Sequence, residues 1–300
     1  MEAMKKKKST LHKMRSIHYV IFIFLIVWVC SIVFLYLWGA MTSFKSARDF
    51  LTNKIGFPKE WVGDHYAFVL KNYYVTVMDS VGVRYVWLED MVLTSVVFAL
   101  GAPATSLIVA CWVSYLTSRF KYKFSAFLNT LVITVMFIPS IGTDVSTITV
   151  LKALNLFDTY LSIFILNFGF MGTNYLLFYA HLNAMPRDFI EAAKIDGASE
   201  MMIFVKIVLP SVSTLYFTLF TLGAITSWNN YSFTLTYMPT HPNLSYGIFA
   251  ISETTLQGFN HVPVRMSAYY MLVFPILIVF LILKDYIIEH MNFSLGELKG

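Results

Sequence analysis

The sequence predicts an all-α, polytopic membrane protein with six transmembrane helices, and three observations carry that reading. Charge is scarce: the 300 residues hold 22 Lys and Arg and 17 Asp and Glu, or 13%, against about 25% in ordinary soluble domains. Hydrophobic types reach 57% and the mean hydropathy is +0.66. The charges are also segregated. Six segments carry no Asp, Glu, Lys, Arg or His: Tyr19–Met41, Val92–Leu116, Phe124–Ile141, Tyr160–Ala180, Ser211–Trp228 and Met266–Leu283. A bilayer core needs about 20 mostly apolar helical residues, and each segment meets that length. This pattern excludes a soluble enzyme, a disulfide scaffold and a disordered chain. It also excludes an outer-membrane barrel, whose strands alternate polar and apolar over about 10 residues.

Six spans put both ends of the chain on one side. With residues 1–18, 117–123, 181–210 and 284–300 inside, fourteen Lys and Arg lie inside and eight lie in the longer outer segments 42–91, 142–159 and 229–265. The positive-inside bias then places both termini in the cytoplasm. The run Lys5–Lys8 with Lys13 and Arg15 dominates that count. The net charge of +5 therefore reads as anchoring to the inner leaflet rather than as a nucleic-acid surface. The first span, longer than a signal-peptide core, reads as an uncleaved anchor.

Residues 1–300 form one transmembrane domain in this reading, with 1–18 and 284–300 as cytoplasmic tails. Trp38, Trp87, Trp112, Tyr115, Tyr160 and Trp228 lie near span ends, where amphipathic rings favour the interface. Pro103 and Pro275 fall inside spans, where neighbouring helices can satisfy the carbonyls they free. Cys30 and Cys111 sit in spans as small apolar fillers. The outer loop 42–91 mixes Phe57, Trp61, Tyr66, Phe68, Tyr73 and Tyr74 with balanced charges, as a small external cap does.

No G-x-x-x-x-G-K-[ST] phosphate loop, H-E-x-x-H pattern, paired-Cys pattern or G-x-S-x-G elbow occurs. The spans offer no ionisable side chain for a proton relay. Energy for uphill transport would therefore enter from outside the spans, which directs attention to the inner loops.

The inner loop 181–210 carries the strongest signal. Pro186 suits a first helical position, and Asp188 and Glu191 suit the positive end of a helix dipole. Ala192 and Ala193 leave a face that another surface can approach closely. Gly197 can take the left-handed conformation that ends such a helix. A second short helix then runs through Phe204 and Ile207, and Pro210 restarts the chain as span five. Periodicity alone also permits an ordinary amphipathic loop on the membrane surface.

The residues Glu191-Ala192-Ala193-x-x-Asp196-Gly197-Ala198-Ser199, followed by Phe204, Ile207 and Leu209-Pro210, resemble the EAA loop of ABC importer permeases. Shorter likenesses follow in order along the chain. Phe57-Pro58 with Tyr66, Arg119-Phe120, Ile138-Pro139, Trp228-Asn229 and the tail Gly296-Glu-Leu-Lys299-Gly300 resemble the maltose-type, carbohydrate family. Ser211 and Thr214 after Pro210, Ser232-Phe233-Thr234 after the Trp-Asn pair, and a long stretch near 74–88 depart from its pattern.

That resemblance implies the type I ABC importer permease fold and a transport subunit, not an enzyme. It implies a heterodimer with a second permease subunit on a dimeric cytoplasmic ATPase, which binds the ATP and Mg. This chain itself would hold no cofactor and no metal. An extracellular or lipoprotein solute-binding protein would deliver a sugar or oligosaccharide. Glu191, Ala192, Ala193, Asp196, Gly197, Ala198, Leu209 and Pro210 would couple to the ATPase, and Gly296, Lys299 and Gly300 would also reach it.

For the solute path, Asn129, Asn167, Asn174, Trp228, Asn229 and Asn230 are candidates, because amides and aromatic faces bind sugars. Interhelical asparagines equally serve packing. Leu244–Asn260, with Tyr246, Phe249, Gln257 and Phe259, is either a plain surface loop or, by analogy, a segment entering the binding protein's ligand site. A permease for another polar solute, such as glycerol phosphate, and a stand-alone channel or secondary carrier remain as alternatives.

Overall fold

The structure, a computed structural model, describes residues 16–79, 81–120, 122–138, 142–186, 188–253, 258–271, 274, 275, 277, 278 and 281. The chain divides into two compact units, one of residues 1–71 with 256–270 and one of 72–255 with 271–300.

In the first unit, α1 (Ser16–Ser43) has no polar stripe, and residues 18–37 are exposed on every side. A helix that is apolar all round suits lipid. The chain then folds through α2 (Ala47–Thr52) and α3 (Asp64–Asn72). Ser46 caps α2, its Oγ accepting from the Asp49 N–H at 3.1 Å. Lys45 is wholly buried and donates to the Asn53 carbonyl at 2.7 Å. Phe44 packs on Trp61 and Tyr66, with ring centroids 5.6 and 5.2 Å apart. Phe57 and Trp61 stay largely exposed.

The second unit opens with an antiparallel hairpin of β1 (Tyr74–Asp79) and β2 (Gly82–Trp87), registered from Tyr74 against Trp87 to Asp79 against Gly82. This two-stranded hairpin is an addition to the expected helical fold, which the other described elements keep. The segment alternates with period two and is rich in β-branched and aromatic residues, which favour strands. Val75, Val77 and Val86 are buried.

Helices α4 (Leu88–Arg119), α5 (Lys123–Met136), α6 (Thr143–Ala153), α7 (Leu161–Asn167) and α8 (Thr173–Ala184) follow. After them come α9 (Asp188–Ile195), α10 (Glu200–Ile203), a π turn over Phe204–Val208, α11 (Leu209–Asn229), α12 (Tyr231–Tyr237) and α13 (Leu244–Glu253).

Among the described residues, three helices are long and apolar enough to cross a membrane: His18–Ser43, Leu88–Arg119 and Glu200–Asn229. They contain the first, second and fifth charge-free segments. The third segment supplies α5, which stops at Met136 after 14 residues. The fourth divides between α7 and α8, with Gly172 at φ +152°, a backbone region that glycine alone enters freely. The sixth lies partly outside the described residues.

Helix α4 is the hub, packed against α7, α8, α11 and α13. Its approach to α11 is close: a Cβ on Gly223 would lie 2.8 Å from the Pro103 Cβ. Small residues permit such contacts between membrane helices. Leu107, Ala110, Cys111 and Tyr115 of α4 share one core with Tyr175, Phe178, Ile190, Ile203, Phe204, Val208 and Val212. The loop 181–210 is thereby anchored to the helical bundle.

Candidate functional site

The loop 181–210 forms two helices around a glycine. Helix α9 starts at Asp188, two residues beyond Pro186, and carries Asp188 and Glu191 in its first turn. Gly197 has φ +80°. Its N–H donates to the Lys194 carbonyl at 3.0 Å, and the Ala198 N–H reaches back to the Ala193 carbonyl at 2.9 Å. This pair of bonds is the Schellman closure, which satisfies the last carbonyls of a helix around one left-handed residue. Ala193 and Ala198 both pack on the core, supplying the apolar contact that accompanies the motif. Ser199 then caps α10, its Oγ accepting from the Met202 N–H at 3.3 Å.

The coupling residues named from sequence therefore divide by exposure. Glu191, Ala192, Asp196 and Gly197 face solvent, while Ala193 and Ala198 are half-buried. Phe189 and Ile195 stand beside them, 63% and 86% exposed, and Ile190 turns inward at 6%. The loop thus presents three carboxylates, Asp188, Glu191 and Asp196, with a small alanine and two large apolar side chains outward.

Pro210 does not restart the chain. From Glu200 to Asn229 the helix is continuous, and the π turn lies just ahead of Pro210. The Leu209 N–H bonds to the Phe204 carbonyl, five residues back. A proline ring normally clashes with the carbonyl four residues earlier, here Lys206. The wider turn makes room for it, and Leu209-Pro210 enters the membrane helix without a break.

Glu200 was not singled out from sequence, yet it ties the loop together. Its carboxylate pairs with the Lys194 ammonium and accepts from the Tyr115 hydroxyl of α4 at 3.0 Å. It precedes the charge-free segment of α11, and Lys194, then Tyr115, hold it below the ordinary carboxylate range. Lys194 and Glu200 stand six apart across the glycine turn, so helical periodicity does not pair them.

The solute-path candidates have other partners. Asn129 accepts a hydrogen bond from the Tyr175 hydroxyl, which also meets the Thr117 hydroxyl at 2.8 Å. Ser114 donates to the Tyr175 carbonyl at 2.9 Å, completing a polar knot between α4, α5 and α8. Asn167 and Asn229 donate to carbonyls of their own helices, Ile163 at 2.7 Å and Ile225 at 2.8 Å. Asn230 caps α12, accepting from the Phe233 N–H at 3.1 Å. Trp228 is buried. Asn174 is half-buried on α8. Replacing Tyr175 with Phe is expected to cost about 1 kcal/mol, within the range measured for interhelical hydrogen bonds in membranes. A lowered unfolding temperature in detergent would register it.

The segment Leu244–Asn260 is helical over α13 and packed through buried Leu244, Gly247 and Ile251. Gln257 lies outside the described residues, as do Pro139, the basic residues of 1–15 and the tail residues Gly296, Lys299 and Gly300. The buried Asn243 ahead of α13 was missed, although an Asn before an apolar run is an N-cap signal.

The family model for the binding-protein-dependent transport system inner membrane component matches residues 85–292. The chain is 24% identical over 260 residues to the arabinooligosaccharides transport system permease protein AraQ of Halalkalibacterium halodurans, covering 87% of this chain and 88% of that one. It is 26% identical over 201 residues to the galactooligosaccharides transport system permease protein GanQ of Bacillus subtilis, covering 66% and 67%. A chain from the crystal structure of a bacterial ABC transporter involved in import of the acidic polysaccharide alginate superposes with a TM-score of 0.75 at 17% identity. That superposition covers 92% of this chain and 98% of the other.

Proposed function

Because the chain belongs to the family of binding-protein-dependent transport-system inner-membrane components, we propose that it is a permease subunit of an ATP-driven importer for a sugar or oligosaccharide. The names of similar proteins, which specify arabinooligosaccharides and galactooligosaccharides, support that solute class. The observation that carries the coupling assignment is the exposed, glycine-closed knuckle of α9 and α10, joined without a break to α11.

In this reading both termini and the knuckle face the cytoplasm. Glu191, Ala192, Asp196 and Gly197 enter a groove on a cytoplasmic ATPase, and Ala193, Ala198, Leu209 and Pro210 fix the knuckle to its span. Nucleotide-driven closure of the ATPase displaces a rigid element packed into the bundle, and the spans change arrangement with it. A second permease subunit completes the path, an external binding protein delivers the solute, and hydrolysis occurs in the partner chain. Asn174 is the path candidate we favour, since the other amides make structural bonds.

The test is uptake by proteoliposomes containing the chain with the ATPase and second permease that purify with it in mild detergent. A panel of arabino- and galactooligosaccharides is offered with the binding protein. Uptake that requires ATP is expected. Equal flux without ATP or ATPase would replace the proposal with a stand-alone carrier, and ATP-driven uptake of glycerol phosphate alone would correct the solute.

A further inference from the structure

We propose that Glu200 is a positioning residue that carries displacement of the knuckle into α4, the second span, in parallel with the continuous helix into α11. The proposal rests on the coupling reading above and adds a route that the motif residues do not provide. Glu200 opens α10 and is fixed there by the Ser199 cap. One carboxylate oxygen engages Lys194 in the last turn of α9. The other accepts from Tyr115, which is only 3% exposed and whose ring packs 5.2 Å from that of Phe204. One side chain therefore touches the helix that would be pushed, the helix that follows it, and the hub of the bundle.

The packing that joins Ile190 of α9 to the core around Tyr115 is interrupted beside the bridge. A cleft of about 30 Å³ opens between the ends of α4 and α8, with Ile190 of α9 and Val208 on its wall. Side chains beside a void can shift without pushing on the opposite wall, whereas a hydrogen-bonded bridge beside it transmits displacement. The bridge is also unsuited to a stabilising role. Lys194 and Glu200 side chains are 41% and 43% exposed, and exposed ion pairs contribute little to stability. Its function and its contribution to folding can thus be separated.

The experiment uses the assembled transporter in proteoliposomes and the panel sugar that the wild type takes up. It reads ATP hydrolysed per sugar imported. Glu200→Gln, which loses the charge facing Lys194, is expected to raise that ratio at least threefold, with unchanged subunit composition and unfolding temperature. The exchange Lys194→Glu with Glu200→Lys is expected to recover part of the loss. An unchanged ratio in Glu200→Gln overturns the proposal. Should Glu200→Gln fail to assemble, Tyr115→Phe, which removes only the second contact, decides by the same ratio. Gly197→Pro separates the two claims. If it abolishes uptake while Glu200→Gln leaves the ratio unchanged, the bridge fails and the coupling reading stands. If Gly197→Pro has no effect on uptake, the coupling reading fails first.

Discussion

Replacing Gly197 with proline is expected to abolish solute uptake while leaving the chain in the membrane. Proline fixes φ near about −65°, whereas Gly197 sits at +80°. The substitution also removes the N–H that bonds the Lys194 carbonyl. Both halves of the Schellman closure are lost, and a cost of about 3 kcal/mol or more falls on the knuckle alone. By the rule that about 1.4 kcal/mol is tenfold, the native knuckle would be depopulated roughly a hundredfold. Alanine should be milder. A Cβ at Gly197 would meet no atom within 4 Å, so Gly197→Ala suffers only the left-handed backbone penalty of about 1–2 kcal/mol. Asparagine tolerates that conformation better than alanine. Uptake per unit of membrane-inserted protein should therefore fall in the order Gly, Asn, Ala, Pro. Wild-type uptake in Gly197→Pro would show that the knuckle's shape is not what the transport cycle uses.

The legible parts of this molecule are those whose physics is simple. A helix that crosses a membrane needs only length and the absence of charge, so Tyr19–Met41, Val92–Leu116 and Ser211–Trp228 were readable as membrane helices. The end of α9 was readable because Gly197 alone among its neighbours takes φ +80° freely. Absence of charge says nothing about breaks within an apolar run. The break between α7 and α8 depends on Gly172, and α5 ends early at Phe137. The hairpin was hidden because six-residue strands beside charged residues resemble a polar loop when only charge is counted. At Pro210 the usual rule that proline opens a new helix gave way to a π turn that absorbs it. Glu200 was invisible for a different reason: its partners, Lys194 and Tyr115, come together only after the glycine turn and the packing of α4 have formed. The asparagines illustrate the same limit, since an amide in a span reads alike whether it faces a sugar or a carbonyl.

The largest loss of stability is expected at Asn243, which is wholly buried. Its Oδ1 accepts from the Tyr246 N–H at 2.8 Å and from the Thr234 hydroxyl at 3.2 Å. Its amide donates to the Asn230 carbonyl at 3.0 Å. One side chain thus caps α13, braces α12 and closes the turn that follows α11. The Ser95 hydroxyl of α4 accepts from the next N–H, that of Leu244, at 2.8 Å, so the start of α13 is served by two side chains. Loss of the cap costs about 1 kcal/mol, and each polar group left buried without a partner costs about 1–3 kcal/mol more. Asn243→Ala should therefore lose about 3 kcal/mol, a fall of roughly 6–12 °C in the unfolding temperature at the sensitivity of a large domain. Asn229→Ala is the matched control. Asn229 is exposed and donates only to the Ile225 carbonyl within α11, and such surface changes stay within about 0.5 kcal/mol. Asn243 and Asn229 should thus differ by about 2 kcal/mol or more. Thermal unfolding of both variants in the same detergent measures that difference, and equal shifts would mean that Asn243 does not hold α11, α12 and α13 together.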